Sequence, residues 1–398
     1  MKQGRKLTFV MSDFTAVTTD GLCIARDGGK LRCTFSYDYD ERPLMVQGDV
    51  ADGDTITVCL LPYRIELYVN DRLVDEEWPF GNALFDLDKL PFTVSVENFE
   101  PVFAKQPAVL GTFENAEGWK PEGDVFVGDC MPYVHDGRYH VLYLKDRHHH
   151  YSSWMIGSHQ WEHISTNDFV HWQIHPMAVP IDRPNEGSIC TGSWIEQDGK
   201  QYLFYTIRQP HYAPAPICRS VSTDGYHFEK DTAFRVQLSE KYDRSVARDP
   251  KVIRADDGRY HMILTTALVA DKRGCLAHLV SDDLHTWTEC DEPLYVSGAT
   301  DNQSEQPECP DYIAYNGRYY LTLKGMNGQT KYLVSEHPFD GWCEREDAVV
   351  PCGSVPKGAV WNGKIVFTGF IPSEGGAYAG RMTFKTATAD ENGRLIFE

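Results

Sequence analysis

Three carboxylates in this 398-residue chain stand at matched distances from three near-identical turns. Asp129 lies 8 residues before Gly137, Asp249 lies 9 before Gly258, and Glu308 lies 9 before Gly317. Grouped carboxylates are the machinery of glycosidic bond cleavage. One gives a proton to the leaving oxygen, while another attacks the sugar or activates water. A third can bind sugar hydroxyls and tighten as positive charge develops on the ring. Crowding also raises the pKa of at least one acid in such a group, which suits a proton donor at neutral pH.

The elements that must position these acids repeat five times. Each repeat is a polar turn leading into an aromatic-rich strand: Asp136-Gly137-Arg138-Tyr139-His140, Asp198-Gly199-Lys200-Gln201-Tyr202, Asp257-Gly258-Arg259-Tyr260-His261, Asn316-Gly317-Arg318-Tyr319-Tyr320 and Asn362-Gly363-Lys364-Ile365-Val366. The glycines are 62, 59, 59 and 46 residues apart. Asp-Gly and Asn-Gly hairpins recurring at this period predict a five-bladed β-propeller over residues 124–398. Each acid then falls near the start of the innermost strand of its blade, at one end of the central channel. A second phrase, Ser165-Thr166-Asn167-Asp168 before His171-Trp172, recurs at Ser222, Ser281 and Ser335. Its aromatic residues are expected to pack between blades rather than to bind ligand.

Residues 1–105 read instead as short alternating strands, such as Thr55-Ile56-Thr57-Val58-Cys59-Leu60, with an Asn70-Asp71 turn after Ile65–Val69. They predict a β-sandwich of structural or lectin-like character. Residues 106–123, with Pro107, Gly111, Gly118, Pro121 and Gly123, read as a linker. The expected fold is therefore all-β, a β-sandwich followed by a five-bladed propeller. A net charge of −20 argues against nucleic acid as a partner. No run approaches the length of a membrane span or a signal peptide. Eleven cysteines without framework spacing read as reduced thiols, so a cytoplasmic location is expected.

The propeller resembles glycoside hydrolase family 32, the β-fructofuranosidase and fructan hydrolase family, over roughly residues 124–385. Arg248-Asp249-Pro250 matches that family's Arg-Asp-Pro motif, and Glu308-Cys309-Pro310-Asp311 its Glu-Cys-Pro-Asp motif. Gly187-Ser188-Ile189-Cys190-Thr191-Gly192-Ser193 is similar to the Phe-Ser-Gly-Ser segment, and Trp161-Glu162-His163 to His171-Trp172 resembles the Trp-Gly-His…His-Trp stretch. The resemblance implies Asp129 as nucleophile, Glu308 as acid/base and Asp249 as transition-state stabiliser, with Arg248 and Thr191 on the substrate. It implies retention of configuration, with the Asp129 and Glu308 carboxyls roughly 5–5.5 Å apart. It also implies no cofactor; no metal ligand is assigned, and an ion in the channel is left open. Two features depart from the family. The nucleophile segment is Gly128-Asp129-Cys130-Met131-Pro132 rather than Asn-Asp-Pro-Asn-Gly, and the sandwich precedes the propeller.

Trp161 and Trp154 are expected to line the sugar site, with Trp194 nearby, since aromatic faces stack on sugar rings. His148-His149-His150 reads as a polar loop, because neighbouring residues of a strand face opposite ways and cannot share one ion. Cys309 has no histidine partner in the nearby sequence that would make it a nucleophile. The expected activity is hydrolysis of fructosyl linkages in short oligosaccharides or disaccharides. Transfer to a sugar hydroxyl, a family 43-like arabinofuranosidase or xylosidase, and a non-catalytic carbohydrate-binding protein are the alternatives. The oligomeric state is left open.

Overall fold

The computed structural model describes residues 4–13, 16–37, 40–61, 64–78, 94–96, 106–149, 159–182, 186, 189–208, 213–298, 306–325 and 328–398. The chain divides into two compact units. One is built on residues 1–104, and the other on 105–149, 159–180 and 189–398. Gly4–Val10 and Lys30–Tyr37 of the first unit alternate buried and more exposed side chains, as half-buried strands do. Arg138–Arg147 and Tyr260–Ala267 of the second are buried almost throughout, as strands covered on both faces are.

The first unit contains β1 (Gly4–Val10), β2 (Val17–Thr19), β3 (Leu22–Asp27), β4 (Lys30–Tyr37), β5 (Asp40–Asp49), β6 (Thr55–Leu61), β7 (Arg64–Val69), β8 (Arg72–Glu77) and β9 (Val94–Val96). Two antiparallel sheets, β8-β7-β6-β1-β9 and β2-β3-β4-β5, enclose one apolar core that includes Ile24, Leu31, Phe35, Val46, Val58 and Leu67. The Asn70-Asp71 turn has φ of 49° and 62°, the mirror-image turn that follows strand twist. Arg64 is buried between Glu66 at 2.6 Å and Glu76 at 2.5 Å.

The second unit is the propeller. Its first strand, β10 (Gly111–Glu114), precedes blade 1: β11 (Val125–His135), β12 (Arg138–Arg147), β13 (Gln160–Thr166) and β14 (His171–Val179). Blade 2 is β15 (Ile189–Gln197), β16 (Lys200–Ile207), β17 (Ile217–Ser222) and β18 (Glu229–Lys230). Blade 3 is β19 (Arg248–Arg254), β20 (Tyr260–Ala267), β21 (Gly274–Ser281) and β22 (Thr288–Glu289), with β23 (Tyr295–Val296) also on β21. Blade 4 is β24 (Glu308–Tyr315), β25 (Arg318–Lys324), β26 (Thr330–Ser335) and β27 (Cys343–Val349). Blade 5 is β28 (Ser354–Trp361), β29 (Lys364–Pro372), β30 (Gly380–Ala389) and β31 (Leu395–Phe397), so the shortest repeat is completed by a three-residue outer strand.

Four of the five inner hairpins are two-residue turns in which Asp or Asn and the following Gly both have positive φ. The third differs. Arg254 pairs with Tyr260, so five residues make that turn, and only Gly258 among them has positive φ.

Residues 106–123 are more than a linker. β10 pairs with β14 at the outer edge of blade 1, and Phe113 stacks on Trp119 at 4.2 Å beside the fully buried Trp172. The same segment reaches blade 5. Gly118 N–H donates to Met382 O, Met382 N–H donates to Trp119 O, and Glu117 accepts from Thr383 Oγ1 and Phe384 N–H. Among the described residues, one pair, Val127 with Gly380, joins the first and last blades directly as strands. The 106–123 segment therefore closes the ring, and glycine and proline there serve its tight path rather than flexibility.

Candidate active site

All five inner strands break register at the same place. Two residues oppose one between Val127 and Cys130, Ile189 and Gly192, Arg248 and Lys251, Glu308 and Asp311, and Ser354 and Lys357. Such bulges bend a strand and re-aim its side chains. In blades 3, 4 and 5 the first bulged residue, Asp249, Cys309 or Val355, has φ of 59°, 50° or 39°, and a proline follows each. For residues with a Cβ this backbone is strained, and it persists because neighbouring blades hold it.

The three acids belong to these bulges, but not at one equivalent position. Asp129 is the second bulged residue of blade 1, Asp249 the first of blade 3, and Glu308 the last paired residue before the bulge of blade 4. Near-equal spacing from the turn glycines hides this stagger because the strand between bulge and turn differs in length. It is Cys130–His135 in blade 1, Lys251–Arg254 in blade 3 and Asp311–Tyr315 in blade 4, and the turn of blade 3 is longer. The bulges nonetheless bring the three together. Cys309 Sγ donates to Asp129 Oδ2 at 3.2 Å, and its backbone N–H donates to Asp249 Oδ2 at 3.0 Å. Arg248 bonds Glu308 Oε1 at 2.6 Å and lies 3.7 Å from Asp249 Oδ2.

Asp129 is held from three sides. Thr191 Oγ1 donates to Oδ2 at 2.5 Å, and Tyr378 OH donates to Oδ1 at 2.8 Å while accepting the Asp129 N–H at 3.1 Å. Both Thr191 and Asp129 are second bulged residues, in adjacent blades, which explains their meeting. Gly192 is obligatory beside them: a Cβ there would stand 1.9 Å from Phe204 O. Burial, Asp129 and Asp249 push the Cys309 thiol up, so it acts as a donor to Asp129 and not as a thiolate.

Electrostatics separate the other two acids. Burial pushes Asp249 up, as do Asp129 and Glu308, against the pull of Arg248 and Lys357. Burial would raise Glu308 too, but Arg248 and Lys324 outweigh it and hold that carboxyl down at about 2. Lys324 Nζ donates to Glu308 Oε2 at 3.1 Å from the facing strand. The acid pushed up, by burial first and then by its acidic neighbours, is thus Asp249, whereas the expected acid/base Glu308 is ionised in this state.

Below the bulges, Lys251 pairs with the buried Asp311 at 2.5 Å, and Lys357 donates to Pro310 O at 2.8 Å. Asp311 Oδ2 accepts Gly358 N–H at 2.7 Å. These side chains bridge blades 3, 4 and 5, so the channel wall is rigid where the acids project.

Some expected contacts are different in kind. Thr191, expected on the substrate, is 1% exposed and holds Asp129. Trp161 is also fully buried. Its indole N–H donates to Cys190 O at 3.0 Å, so it supports the blade 2 bulge and offers no face to a sugar. Trp194 stacks on Tyr133 at 4.4 Å between blades. Trp154, His150, Gly187 and Ser188 lie outside the described residues. His148 bonds Asp124, and His149 bonds Tyr378 O and stacks on Phe126.

Tyr378 is the residue that motif reading did not reach. It comes from the approach to β30, 249 positions from Asp129, and carries no motif. His159, itself bonded to Asp146 at 2.9 Å, packs at 5.4 Å from its ring.

A five-bladed propeller accompanied by a β-sandwich, with three carboxylates meeting at bulged inner strands, is the architecture of a class of glycoside hydrolases. The chain matches the N-terminal domain of glycosyl hydrolases family 32 over residues 129–342, and it belongs to that family. It is 25% identical over 323 residues to sucrose-6-phosphate hydrolase of Escherichia coli, covering 70% of this chain and 61% of that one. It is 28% identical over 208 residues to raffinose invertase of Escherichia coli, covering 48% of this chain and 40% of that one. The chain thus spans about 40–60% of the length of these relatives. In fold it is similar to fructan 1-exohydrolase IIa of Cichorium intybus, with a TM-score of 0.58 and 18% identity over 72% of this chain and 60% of that one. A family 43 β-xylosidase/α-arabinofuranosidase from a compost metagenome is similar at a TM-score of 0.55 and 17% identity, over 71% of this chain and 98% of that one.

Proposed function

We propose that this chain is a retaining glycoside hydrolase that releases fructose from β-fructofuranosyl linkages of short oligosaccharides or disaccharides. The observation that carries the reading is the meeting of Asp129, Asp249 and Glu308 at the bulges of blades 1, 3 and 4, linked through Cys309 and Arg248. The named activities of the family 32 relatives, on sucrose 6-phosphate and raffinose, support the substrate class. In the first step Asp129 attacks the anomeric carbon while protonated Glu308 gives its proton to the leaving oxygen. Asp249 and Arg248 bind ring hydroxyls and strengthen as charge develops. In the second, ionised Glu308 takes a proton from water. The resulting hydroxide equivalent attacks the same carbon, releases the sugar and frees Asp129.

Every cysteine is a free thiol, and no helix among the described residues is long and apolar enough to cross a membrane. Free thiols support a cytoplasmic setting, where imported small sugars are the available substrates. The N-terminal unit is then a structural or sugar-binding appendage to the propeller.

The test is sugar release from sucrose, sucrose 6-phosphate, short inulin- and levan-type oligosaccharides, difructose anhydrides and aryl arabinofuranosides, with Asp129→Asn and Glu308→Gln alongside. Fructose release abolished by both substitutions supports the reading. Release from arabinofuranosides alone, with inverted product, moves the chain to a family 43-like activity. Silence of a folded wild type would leave a carbohydrate-binding protein.

A further inference from the structure

Beyond the carboxylate site, blade 1 gathers three buried imidazoles: His140 on β12, His163 on β13 and His175 on β14. One ring nitrogen of each lies within 4.8 Å of the other two, and His140 Nδ1 stands 3.0 Å from His163 Nε2. The register puts them together: His163 faces His175 directly, and His140 faces Ser165, two residues along from His163.

The other blades show that the fold does not require histidine here. The positions matching His140 and His163 hold Tyr202 and Arg219 in blade 2, His261 and His278 in blade 3, and Tyr320 and Tyr332 in blade 4. Blade 3 is the informative case. His261 Nδ1 and His278 Nε2 meet at 2.9 Å, as in blade 1, but the pair is completed by Phe339 and Asp257 and by no third imidazole. Blade 1 alone adds His175.

We propose that His140, His163 and His175 are ligands of a zinc-class metal ion that ties together the outer three strands of blade 1. Three imidazole nitrogens with a hydroxyl in the fourth position form a donor set for Zn²⁺ and its surrogate Co²⁺. Nitrogens about 2.0–2.1 Å from a tetrahedral ion stand roughly 3.3 Å apart, so small side-chain shifts close the site. His175 is already oriented. Its Nδ1 bonds Ala108 O at 2.6 Å, which leaves Nε2 as the acceptor facing the cluster. Two hydroxyls are at hand, Tyr133 OH at 3.2 Å from His163 Nε2 and Ser165 Oγ at 2.6 Å from His175 Nε2. Arg138 is a nearby cation, donating to Ser165 Oγ at 3.0 Å. Binding needs no net proton loss from the rings. The proton shared by His140 Nδ1 and His163 Nε2 moves to the other nitrogen of its own ring. Because the site is enclosed, the ion enters as the chain folds.

The experiment is refolding of the untagged full chain with Zn²⁺ or Co²⁺, dialysis, and elemental analysis with Co²⁺ absorption spectra. The expected result is close to one equivalent per chain, with four-coordinate Co²⁺ bands and a raised melting temperature. His175→Gln reduces the cluster to the blade 3 arrangement, a folded precedent, and should lose the metal and its bands. His148→Gln/His149→Gln should keep both. Metal below about a tenth of an equivalent in the wild type would overturn the proposal. So would metal retained by His175→Gln, or lost from the His148/His149 variant.

Discussion

Arg248 and Glu308 occupy the same register position in neighbouring blades, each the last paired residue before its bulge, and they bond at 2.6 Å. Lys324, opposite Glu308 on the facing strand, adds a second cation at 3.1 Å. The residue proposed to donate a proton is therefore ionised while Arg248 is on it. Sugar hydroxyls that draw Arg248 away would let the Glu308 pKa climb within the complex. Substrate binding and arming of the acid thus become one event.

This has a kinetic signature. Removing one cation leaves the burial that already pushes Glu308 upward. Lys324→Met should move the alkaline limb of kcat/KM, which reports the free enzyme, to higher pH. In the wild type the alkaline limb of kcat should lie above that of kcat/KM. Rates on the best substrate of the panel across pH read both, and an unmoved limb in Lys324→Met would reject the coupling.

Tyr378 and Thr191 fix the two oxygens of Asp129 by charge-assisted hydrogen bonds. Such a bond contributes about 1.5–3 kcal/mol. Tyr378→Phe should accordingly lower kcat roughly 10–100-fold with a smaller change in KM. Thr191→Val should act in the same direction. Because both hold one carboxylate, the double variant should lose less than the product of the two single losses. Steady-state kinetics on all three variants decide this.

The turn glycines made the blades legible, because a mirror-image hairpin needs positive φ and Asn-Gly or Asp-Gly supplies it. The acids were legible for the same reason, each being tied to a turn at short range. Their stagger was not, since unequal strand lengths between bulge and turn, and the five-residue turn of blade 3, hide it. The ring closure by residues 106–123 was read as a linker because Gly and Pro mark tight paths as well as loose ones. Tyr378 and the His140–His163–His175 cluster depend on partners far apart in the chain, which no local pattern encodes.

Gly192 offers a test of the bulge itself. A Cβ there would stand 1.9 Å from Phe204 O, which is backbone and cannot turn aside. Gly192→Ala should destabilise the propeller by about 3 kcal/mol or more. It should also displace Thr191 from Asp129, so activity should fall in the fraction that stays folded. Chemical denaturation, with activity per folded molecule, separates the two effects. Gly199→Ala, with open space around its Cβ but φ of 73°, should cost only the backbone strain of about 1 kcal/mol.

Two buried groups should contribute to acid unfolding in different pH windows. Burial, then His261 and Arg259, hold His278 down at about 4, against about 6.5 in an unfolded chain. Between those values the unfolded state takes up a proton that the folded state refuses, so stability is lost as pH falls from about 6.5 to 4. The shift corresponds to about 3 kcal/mol for this group. Glu308 works lower. Its carboxyl is held at about 2, so its stabilisation is present above about 4.3 and drains away as pH falls from there to 2. The windows of these two groups barely overlap, so each substitution should remove its own share of a loss to which the other buried imidazoles, such as His175 at about 4, also contribute. His278→Gln should flatten the pH dependence of unfolding free energy above pH 4, and Lys324→Met should flatten it below. Urea titrations at closely spaced pH values measure both slopes. A His278→Gln slope equal to wild type between pH 6.5 and 4 would mean that His278 is not the buried neutral group its blade position makes it.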